Sequence, residues 1–346
     1  MAAKKAPRPA VIADVAKLAG VSVPTVSRVL TGAARVRPEK ERLVLDAIAK
    51  LNYRPSATAR ALASRQSHTI AIVAGNTSQY GYAETIRGIE EEARADGYTV
   101  TITVVETTEP DEVERAVALV LDQSPAGVVV LKFDPPGVAV LESLPRDLPV
   151  VAVSGVRSRD VPQAVLDEAR AAETLTEHLL ALGHRTVHHV RVPPSRREDG
   201  RTTGWRRALK RAGIEQPVLF EATWSPESGR AIGHEIARDP EITAVFCGND
   251  EIAMGVIKGL SDAGLKVPDD VSVAGFDDHP LAAMWSPALT TVRQDFGGLG
   301  TRAFELLRGA VSGEVVRRTS SALPELVVRE SAAPPRPRTG AAAANR

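Results

Sequence analysis

The sequence predicts an all-helical N-terminal domain followed by a large α/β region with parallel sheets. Residues 11–66 carry helical spacings of apolar residues, whereas after residue 67 short β-rich apolar runs alternate with helical segments. Charge divides the chain at the same place. Residues 1–66 hold 13 Lys/Arg and 4 Asp/Glu, a net charge of +9, and the remainder carries −9. This basic head suits an end of the chain that binds phosphates, although Lys4, Lys5 and Arg8 could be a solubilising tail.

The first predicted element is a pair of short helices in VIADVAKLAGVSVPTVSRVLTG, residues 11–32. Gly20 ends the first helix. Ser22 offers an N-cap hydroxyl for the second helix, and Pro24 lies in its first turn, where a missing N–H is tolerated. The apolar stripe of this second helix is Val26, Val29 and Leu30, and its outward-facing residues are Thr25, Ser27 and Arg28. This is the geometry of a helix-turn-helix, whose second helix enters the DNA major groove; the alternative is an ordinary αα-hairpin.

A third helix is predicted over residues 38–51, opened by Pro38 and closed by Asn52. Pro55 prevents its continuation. Ser56 can then cap a short, alanine-rich helix over residues 57–63. Because nucleating so short a helix costs more than its few hydrogen bonds return, we expect it to form only when something holds it.

The region after residue 67 predicts strands in TIAIVAG, YTVTITVV, AGVVVLK, PVVAVSG, TVHHVRV, TAVFCGN and VSVAGFDD, separated mostly by helical patterns. Near-continuous apolar strands between helices are typical of parallel sheets covered on both faces. About 260 residues of this pattern exceed one core, which predicts two α/β lobes. In such sheets ligands bind beyond the carboxyl ends of the strands.

Five segments in order resemble the LacI/GalR family of bacterial transcriptional repressors: DVAKLAGVSVPTVSRVL, LNYRPSATARALA, FCGNDEIAMG, VAGFDD and PALTTV. The resemblance implies a type I periplasmic-binding-protein-like core of two doubly wound lobes with an effector cleft between them. The implied layout is a disordered basic tail (1–10), a helix-turn-helix domain (11–54), a hinge helix and linker (55–66), a core (67–331) and a disordered tail (332–346). Within the core, lobe 1 covers about 67–160 and 296–320, and lobe 2 about 161–295 and 321–331.

The resemblance also implies DNA-binding roles. Val23 and Pro24 take the positions that read base edges, where they can offer only apolar contact, and Arg28 could pair with a guanine. Leu62 matches a hinge leucine that wedges between base pairs in the minor groove, and the alternative is a packing leucine. The whole predicted DNA-binding set is Ser22, Val23, Pro24, Thr25, Ser27, Arg28, Arg35, Tyr53, Ala59 and Leu62. Thr31 replaces the Asn of many relatives.

For the effector, the resemblance implies that Arg201, Asn249 and Asp277 hold sugar hydroxyls, since guanidinium and carboxylate groups grip neighbouring hydroxyls. Tyr82 and Trp224 take the aromatic-wall positions. Three alternatives stand beside these roles: Asp250 caps the following helix, Asn249 stabilises a loop, and Arg201 and Asp277 pair as a salt bridge between the lobes. Gly81, where purine-responsive members have an aromatic residue, favours a sugar, and Arg196 and Arg197 could select a sugar phosphate or simply be solvated.

Other classes of protein are disfavoured. The sequence has no P-loop, G-x-G-x-x-G or G-x-S-x-G motif, so we expect no enzyme and no cofactor. His184, His188 and His189 lie near one another, but consecutive strand histidines point to opposite faces, so we expect no metal site. Cys247 lies in an apolar run and is interpreted as a packing residue. The absence of a signal peptide and of a second cysteine favours the cytoplasm over a secreted sugar-binding protein.

The resulting hypothesis is a homodimeric repressor of carbohydrate-utilisation genes that reads a near-palindromic operator and is released by a sugar effector. The alternative is a corepressor-dependent repressor that responds to a purine, a nucleoside or a sugar phosphate. The less favoured alternative class is a cytoplasmic sugar-binding protein or enzyme without a DNA role.

Overall fold

The computed structural model describes residues 8, 10–31, 35–53, 67–156, 161–194, 199–314 and 318–336. The chain separates into two compact units, Met1–His68 and Thr69–Arg346, which we call the head and the core. The predicted hinge helix at residues 57–63, including Ala59 and Leu62, lies outside the described residues, as do Arg196, Arg197 and the side chain of Thr31.

The head contains three helices, α1 (Ile12–Ala19), α2 (Val23–Thr31) and α3 (Pro38–Leu51). Gly20 ends α1 in the left-handed conformation at φ 65°, where the missing Cβ removes the steric penalty. Pro38 opens α3, and Asn52 ends it at φ 45°. The helices enclose a small apolar core of Val15, Ala16, Ala19, Val26, Val44, Ala47 and Tyr53. The predicted three-helix arrangement is therefore present in the structure.

Lobe 1 of the core is built on a six-stranded parallel sheet in the order β11-β5-β4-β3-β1-β2. The strands are β1 (Thr69–Ala74), β2 (Thr99–Val104), β3 (Gly127–Leu131), β4 (Val150–Ser154), β5 (Gln163–Leu166) and β11 (Thr319–Ala322). Helices α4 (Tyr80–Ala95) and α11 (Phe296–Val311) cover one face, and α5 (Pro110–Asp122) and α6 (Pro135–Ser143) cover the other. Successive β1 residues alternate between these two apolar clusters, as strand geometry requires.

Lobe 2 is built on a four-stranded parallel sheet in the order β7-β6-β8-β9. The strands are β6 (His188–Arg191), β7 (Leu219–Glu221), β8 (Ala244–Cys247) and β9 (Ser272–Ala274). The helices are α7 (Glu168–Ala181) and α8 (Gly200–Arg211) on one face and α9 (Pro226–Ile236) and α10 (Asp250–Asp262) on the other. An antiparallel pair, β10 (Thr291–Arg293) and β12 (Glu325–Val327), adjoins this lobe.

The strand pairing corrects the predicted lobe limits. β5 pairs with β4, and β11 pairs with β5, so lobe 1 extends through Leu166 and Ala322 rather than stopping near 160 and 320. The chain therefore crosses between the lobes after β5, after β10 and after β11. β5 and β11 have only four residues each, which is too short for the sequence pattern to reveal them.

The C-terminal segment also differs from the prediction of a disordered tail from residue 332. The Ala333 carbonyl accepts hydrogen bonds from His184 Nε2 at 3.0 Å and from Ser272 Oγ at 2.9 Å. Arg336 pairs with Asp269 at 2.6 Å. The buried His184 and Ser272 need hydrogen-bond partners, and this segment supplies them.

Candidate functional site

The predicted DNA-reading face lies on α2 of the head. Ser22, Val23, Pro24 and Arg28 are exposed, whereas Val26 on the opposite side is fully buried. Thr25 and Ser27 are partly exposed, and Arg35 is exposed in the stretch before α3. The Ser22 and Thr25 hydroxyl groups are hydrogen-bonded, with their oxygens 2.9 Å apart. The amphipathic helix α2 and the preceding Ser22 thus expose six of the predicted DNA contacts, at least in part, to solvent.

Tyr53 is largely buried. It is 9% exposed and packs in the core of the head, and its contact with DNA stays a prediction. The left-handed turn at Asn52 folds the chain back, and the Tyr53 N–H donates to the carbonyl of Ile48 at 3.0 Å. The position after the helix stop therefore places the ring inside rather than outside.

The predicted effector residues line one cavity between the two lobes. Tyr82 comes from lobe 1 at the start of α4, after the carboxyl end of β1. Arg201, Trp224, Asn249 and Asp277 come from lobe 2, mostly just beyond strand ends. Parallel sheets bring the carboxyl ends of their strands to the same edge, which explains why residues so distant in sequence meet.

Arg201 lies at the centre of the polar wall. Its Nη2 lies 2.9 Å from Glu168 Oε1 and 3.3 Å from Asp277 Oδ1, and its Nη1 donates to the Gly248 carbonyl. The guanidinium also stacks on Phe276, with Cζ 4.6 Å from the ring centroid. The three charged side chains are only 10–13% exposed. The alternative of an Arg201–Asp277 pair is therefore present, but both residues belong to lobe 2, so the pair does not join the lobes.

Asp277 has a positive φ of 111°, a backbone conformation that residues other than glycine rarely adopt. Gln294 Nε2, at the crossover between β10 and α11, donates to Asp277 Oδ1 at 2.8 Å. Burial raises the pKa of Asp277 to about 7, while Arg201 and the Gln294 hydrogen bond oppose that rise and Glu168 adds to it. Part of the Asp277 population is consequently protonated at neutral pH.

Asn249 caps the following helix, whereas Asp250 holds a neighbouring loop. Asn249 is the N-cap of α10, accepting from the Ile252 N–H at 2.8 Å. Asp250 accepts from the His279 N–H at 2.6 Å and from the Thr291 hydroxyl at 2.5 Å, so the interpretation of Asp250 as the cap is wrong. Burial raises the pKa of Asp250 well above its usual value. The other end of the Asn249 side chain, Nδ2, lies 3.4 Å from Oε2 of Glu251, which also lines the cleft.

The lobe 1 wall is aromatic. Tyr82 is 3% exposed, and its hydroxyl donates to Asp134 Oδ2 at 2.5 Å, while its ring lines the cavity. The Phe296 ring covers Gly81 so closely that an added Cβ would lie 2.9 Å from Cζ. Phe296 also meets Tyr80 edge to face, with centroids 5.9 Å apart. The place of a second aromatic residue at Gly81 is thus filled by Phe296.

Known proteins resemble this chain along most of its length. Residues 11–56 match the bacterial regulatory proteins of the lacI family, and residues 176–332 match a periplasmic binding protein-like domain. Catabolite control protein A of Priestia megaterium is 31% identical over 322 residues, 91% of this chain and 97% of the relative. The chain belongs to the LacI family.

Other comparisons agree with this assignment. The repressor PurR of Erwinia tasmaniensis is 34% identical over 333 residues, covering 94% of this chain and 97% of that protein. The Lac repressor dimer bound to operator and the anti-inducer ONPF has a TM-score of 0.85 at 28% identity, covering 94% of this chain and 100% of that structure. The CelR–cellobiose complex has a TM-score of 0.68 at 26% identity, covering 93% and 99%. This LacI-family chain is a sequence-specific DNA-binding transcriptional regulator.

Sequence reasoning missed several residues of the cleft in this LacI-family protein. Lys132 and Phe133 directly follow β3, so their position after a predicted strand could have revealed them. Glu168 and Gln294 lie at crossovers whose short strands carried no clear pattern. The further lining residues that were missed include Tyr80, His279 and Phe296.

Of the three histidines near one another in sequence, His184 and His189 form hydrogen bonds with other protein groups. His189 bonds Phe246 O at 2.9 Å and Thr202 Oγ1 at 3.2 Å, and burial lowers its pKa to about 4. Cys247 is fully buried, which raises the pKa of its thiol. Among the described residues no cluster of three or more His, Cys, Asp or Glu side chains could hold a metal ion. Within the same residues no helix has the length and apolar character needed to cross a bilayer.

Proposed function

We propose that this regulator is a homodimeric, cytoplasmic repressor without enzymatic activity, and that a sugar bound in the cleft releases it from its operator. The observation that carries the proposal is the pairing of two different walls in one cleft. The Arg201–Asp277–Asn249 wall offers hydrogen-bond donors and acceptors for hydroxyls. Aromatic rings from both lobes, Tyr82 of lobe 1 and Trp224 of lobe 2, can cover the apolar face of a sugar ring.

The known relatives indicate two candidate classes of effector, sugars and purines. CelR was solved with cellobiose, and Lac repressor was solved with ONPG, whereas the PurR proteins share 30–34% identity with this chain. Gly81 favours the sugar, because it carries no aromatic side chain where purine-responsive members have one. A purine corepressor is the second candidate function.

A thermal-shift screen of carbohydrates against purines and nucleosides tests the effector class. A true effector stabilises the core by mass action, so the unfolding temperature rises with its concentration. We expect sugars to raise it and purines to leave it unchanged. Each hit is then added to a gel-shift assay with an operator selected from genomic fragments, and release of the DNA is the expected result. Stabilisation by a purine together with tighter operator binding would establish the second candidate instead.

The DNA side is tested with Arg28→Ala. Because Arg28 is exposed on α2, we expect the variant to lose about 10–100-fold in operator affinity, the discrimination that one good base contact supplies. Arg115→Ala is the matched control, since Arg115 is exposed on α5 of the core and pairs only locally with Glu112. Wild-type affinity should also fall steeply with salt. Equal operator affinity of the two variants would contradict the α2 assignment.

A further inference from the structure

The cleft has an excess of carboxyl groups in its described lining. The cations are Lys132 and Arg201, and the carboxyl-bearing residues are Glu168, Asp199, Asp250, Glu251 and Asp277. Lys132 is only 3% exposed and is already engaged within the protein. Arg201 is therefore the cation whose surroundings decide how the cleft treats a charged ligand.

Glu168 neutralises Arg201 from a fixed position. Both Nε and Nη2 of Arg201 donate to Glu168 Oε1, at 3.3 Å and 2.9 Å, and the carboxylate is 10% exposed. Glu168 begins α7, two residues after β5 ends, so its backbone is held by both lobes at their first crossover. On the lobe 1 side its carboxylate packs against Gly155, where an added Cβ would clash with Oε2. The side chain consequently has little room to swing away from Arg201.

We infer that Glu168 is a specificity-determining residue, through which the cleft selects an uncharged sugar over the phosphorylated form of the same sugar. The inference rests on the proposed sugar effector. A hydroxyl group can accept from Arg201 and donate to Glu168 or Asp277 together, because it is both acceptor and donor. A fully ionised phosphate has no proton to donate to Glu168, and it meets the negative charge of Glu168 at hydrogen-bond distance from the guanidinium. Glu168 thus acts as a filter against anions.

The first test uses inorganic phosphate as the probe, so it needs no knowledge of the effector. The unfolding temperature of the full chain is titrated with phosphate against chloride at equal ionic strength. We expect weak binding by wild type and a dissociation constant about tenfold lower in Glu168→Gln, where one repelling charge is removed. The double variant Glu168→Gln, Arg201→Gln should lose this gain, which would locate the phosphate at Arg201.

The matched control is Glu251→Gln. Glu251 also lines the cleft, but its carboxylate contacts Asn249 at 3.4 Å rather than Arg201. This variant should bind phosphate as weakly as wild type. An equal gain in Glu251→Gln would show that only the net charge matters and would overturn the role of Glu168. Phosphate binding by wild type as tight as in Glu168→Gln would overturn it as well.

The second test uses only wild-type protein and therefore does not depend on the folding of Glu168→Gln. Each sugar in the thermal-shift panel is paired with its 6-phosphate. We expect the free sugar to stabilise the core more than its phosphate, and the opposite order would refute the filter while supporting a sugar-type effector. If purines alone give a response, the proposed effector class fails, and the phosphate titration still decides whether Glu168 repels anions.

Discussion

The two walls of the cleft differ in their chemistry and in how many of their polar groups already bond other protein groups. The lobe 1 wall is mainly aromatic, with Tyr80, Tyr82, Phe133 and Phe296, and it offers apolar area. The lobe 2 wall is polar, with Arg201, Asn249, Asp250 and Asp277, and most of its polar groups already bond other protein groups. A wall that is hydrogen-bonded in advance can orient a ligand with little reorganisation, whereas an aromatic wall contributes mostly by burial. The polar groups that orient a ligand thus come mainly from lobe 2, whereas most of the aromatic area comes from lobe 1, with Trp224 of lobe 2 adding to it.

The largest loss of stability is expected when Arg201, at the centre of the polar wall, is replaced. Arg201→Gln leaves the buried carboxylates of Glu168 and Asp277 without their cation, so we expect a loss of about 3–5 kcal/mol in the free energy of unfolding. Denaturant unfolding of the core measures it. The control is Arg185→Gln, because Arg185 pairs with Glu241 on the surface of the same lobe and is 90% exposed, so less than about 1 kcal/mol should be lost. Equal losses would contradict the importance of the buried cluster.

A smaller loss of stability is expected from a substitution in the aromatic wall. Tyr82→Phe keeps the ring but removes the hydroxyl that donates to the half-buried Asp134, so we expect a loss of about 1–3 kcal/mol. Tyr80→Phe is the control, since Tyr80 is partly exposed and meets its neighbours His279 and Phe296 through its ring, and its loss should stay within about 0.5 kcal/mol. Chemical denaturation compares the two. If Tyr82→Phe is as stable as Tyr80→Phe, the Tyr82–Asp134 bond does not stabilise the wall.

The last effect concerns how stability depends on pH. The pKa of Asp277 is about 7 in the folded protein and near 4 in an unfolded chain. Between these values the folded state binds more protons than the unfolded state, so this group makes stability fall as pH rises from about 4 to about 7. Asp277→Asn resembles the protonated form and should flatten that part of the profile.

Unfolding profiles of wild type and Asp277→Asn over this pH range provide the measurement. Parallel profiles for wild type and Asp277→Asn would show that Asp277 does not titrate in this range. A flattened profile would instead place a titrating carboxyl in the polar wall.

Local sequence patterns predicted the structure correctly where it depends on a single helix. Gly20 and Asn52 adopt the left-handed conformations that helix ends favour, and Val26 is buried as its place in the apolar stripe of α2 predicts. Tyr53 shows the limit of this reasoning, because the direction in which a residue after a helix points depends on the turn that follows. The DNA-binding roles of the exposed α2 residues remain predictions.

In the cleft, the sequence could place Asn249 and Asp277 after strands, since strand ends can be recognised from apolar runs. It could not reveal that Asn249 rather than Asp250 caps α10, because both residue types suit an N-cap. The distinction depends on His279 and Thr291, which reach Asp250 from another part of the chain.

The sequence alone determined the order of elements, the basic head and the family, because these depend on periodicity, composition and local motifs. Only the tertiary structure decided that Glu168 and Gln294 meet Arg201 and Asp277, and that Phe296 covers Gly81. These contacts join residues up to 215 positions apart through the chain crossovers between the lobes. Their geometry arises from how two sheets pack and connect, and no local pattern of residues encodes it.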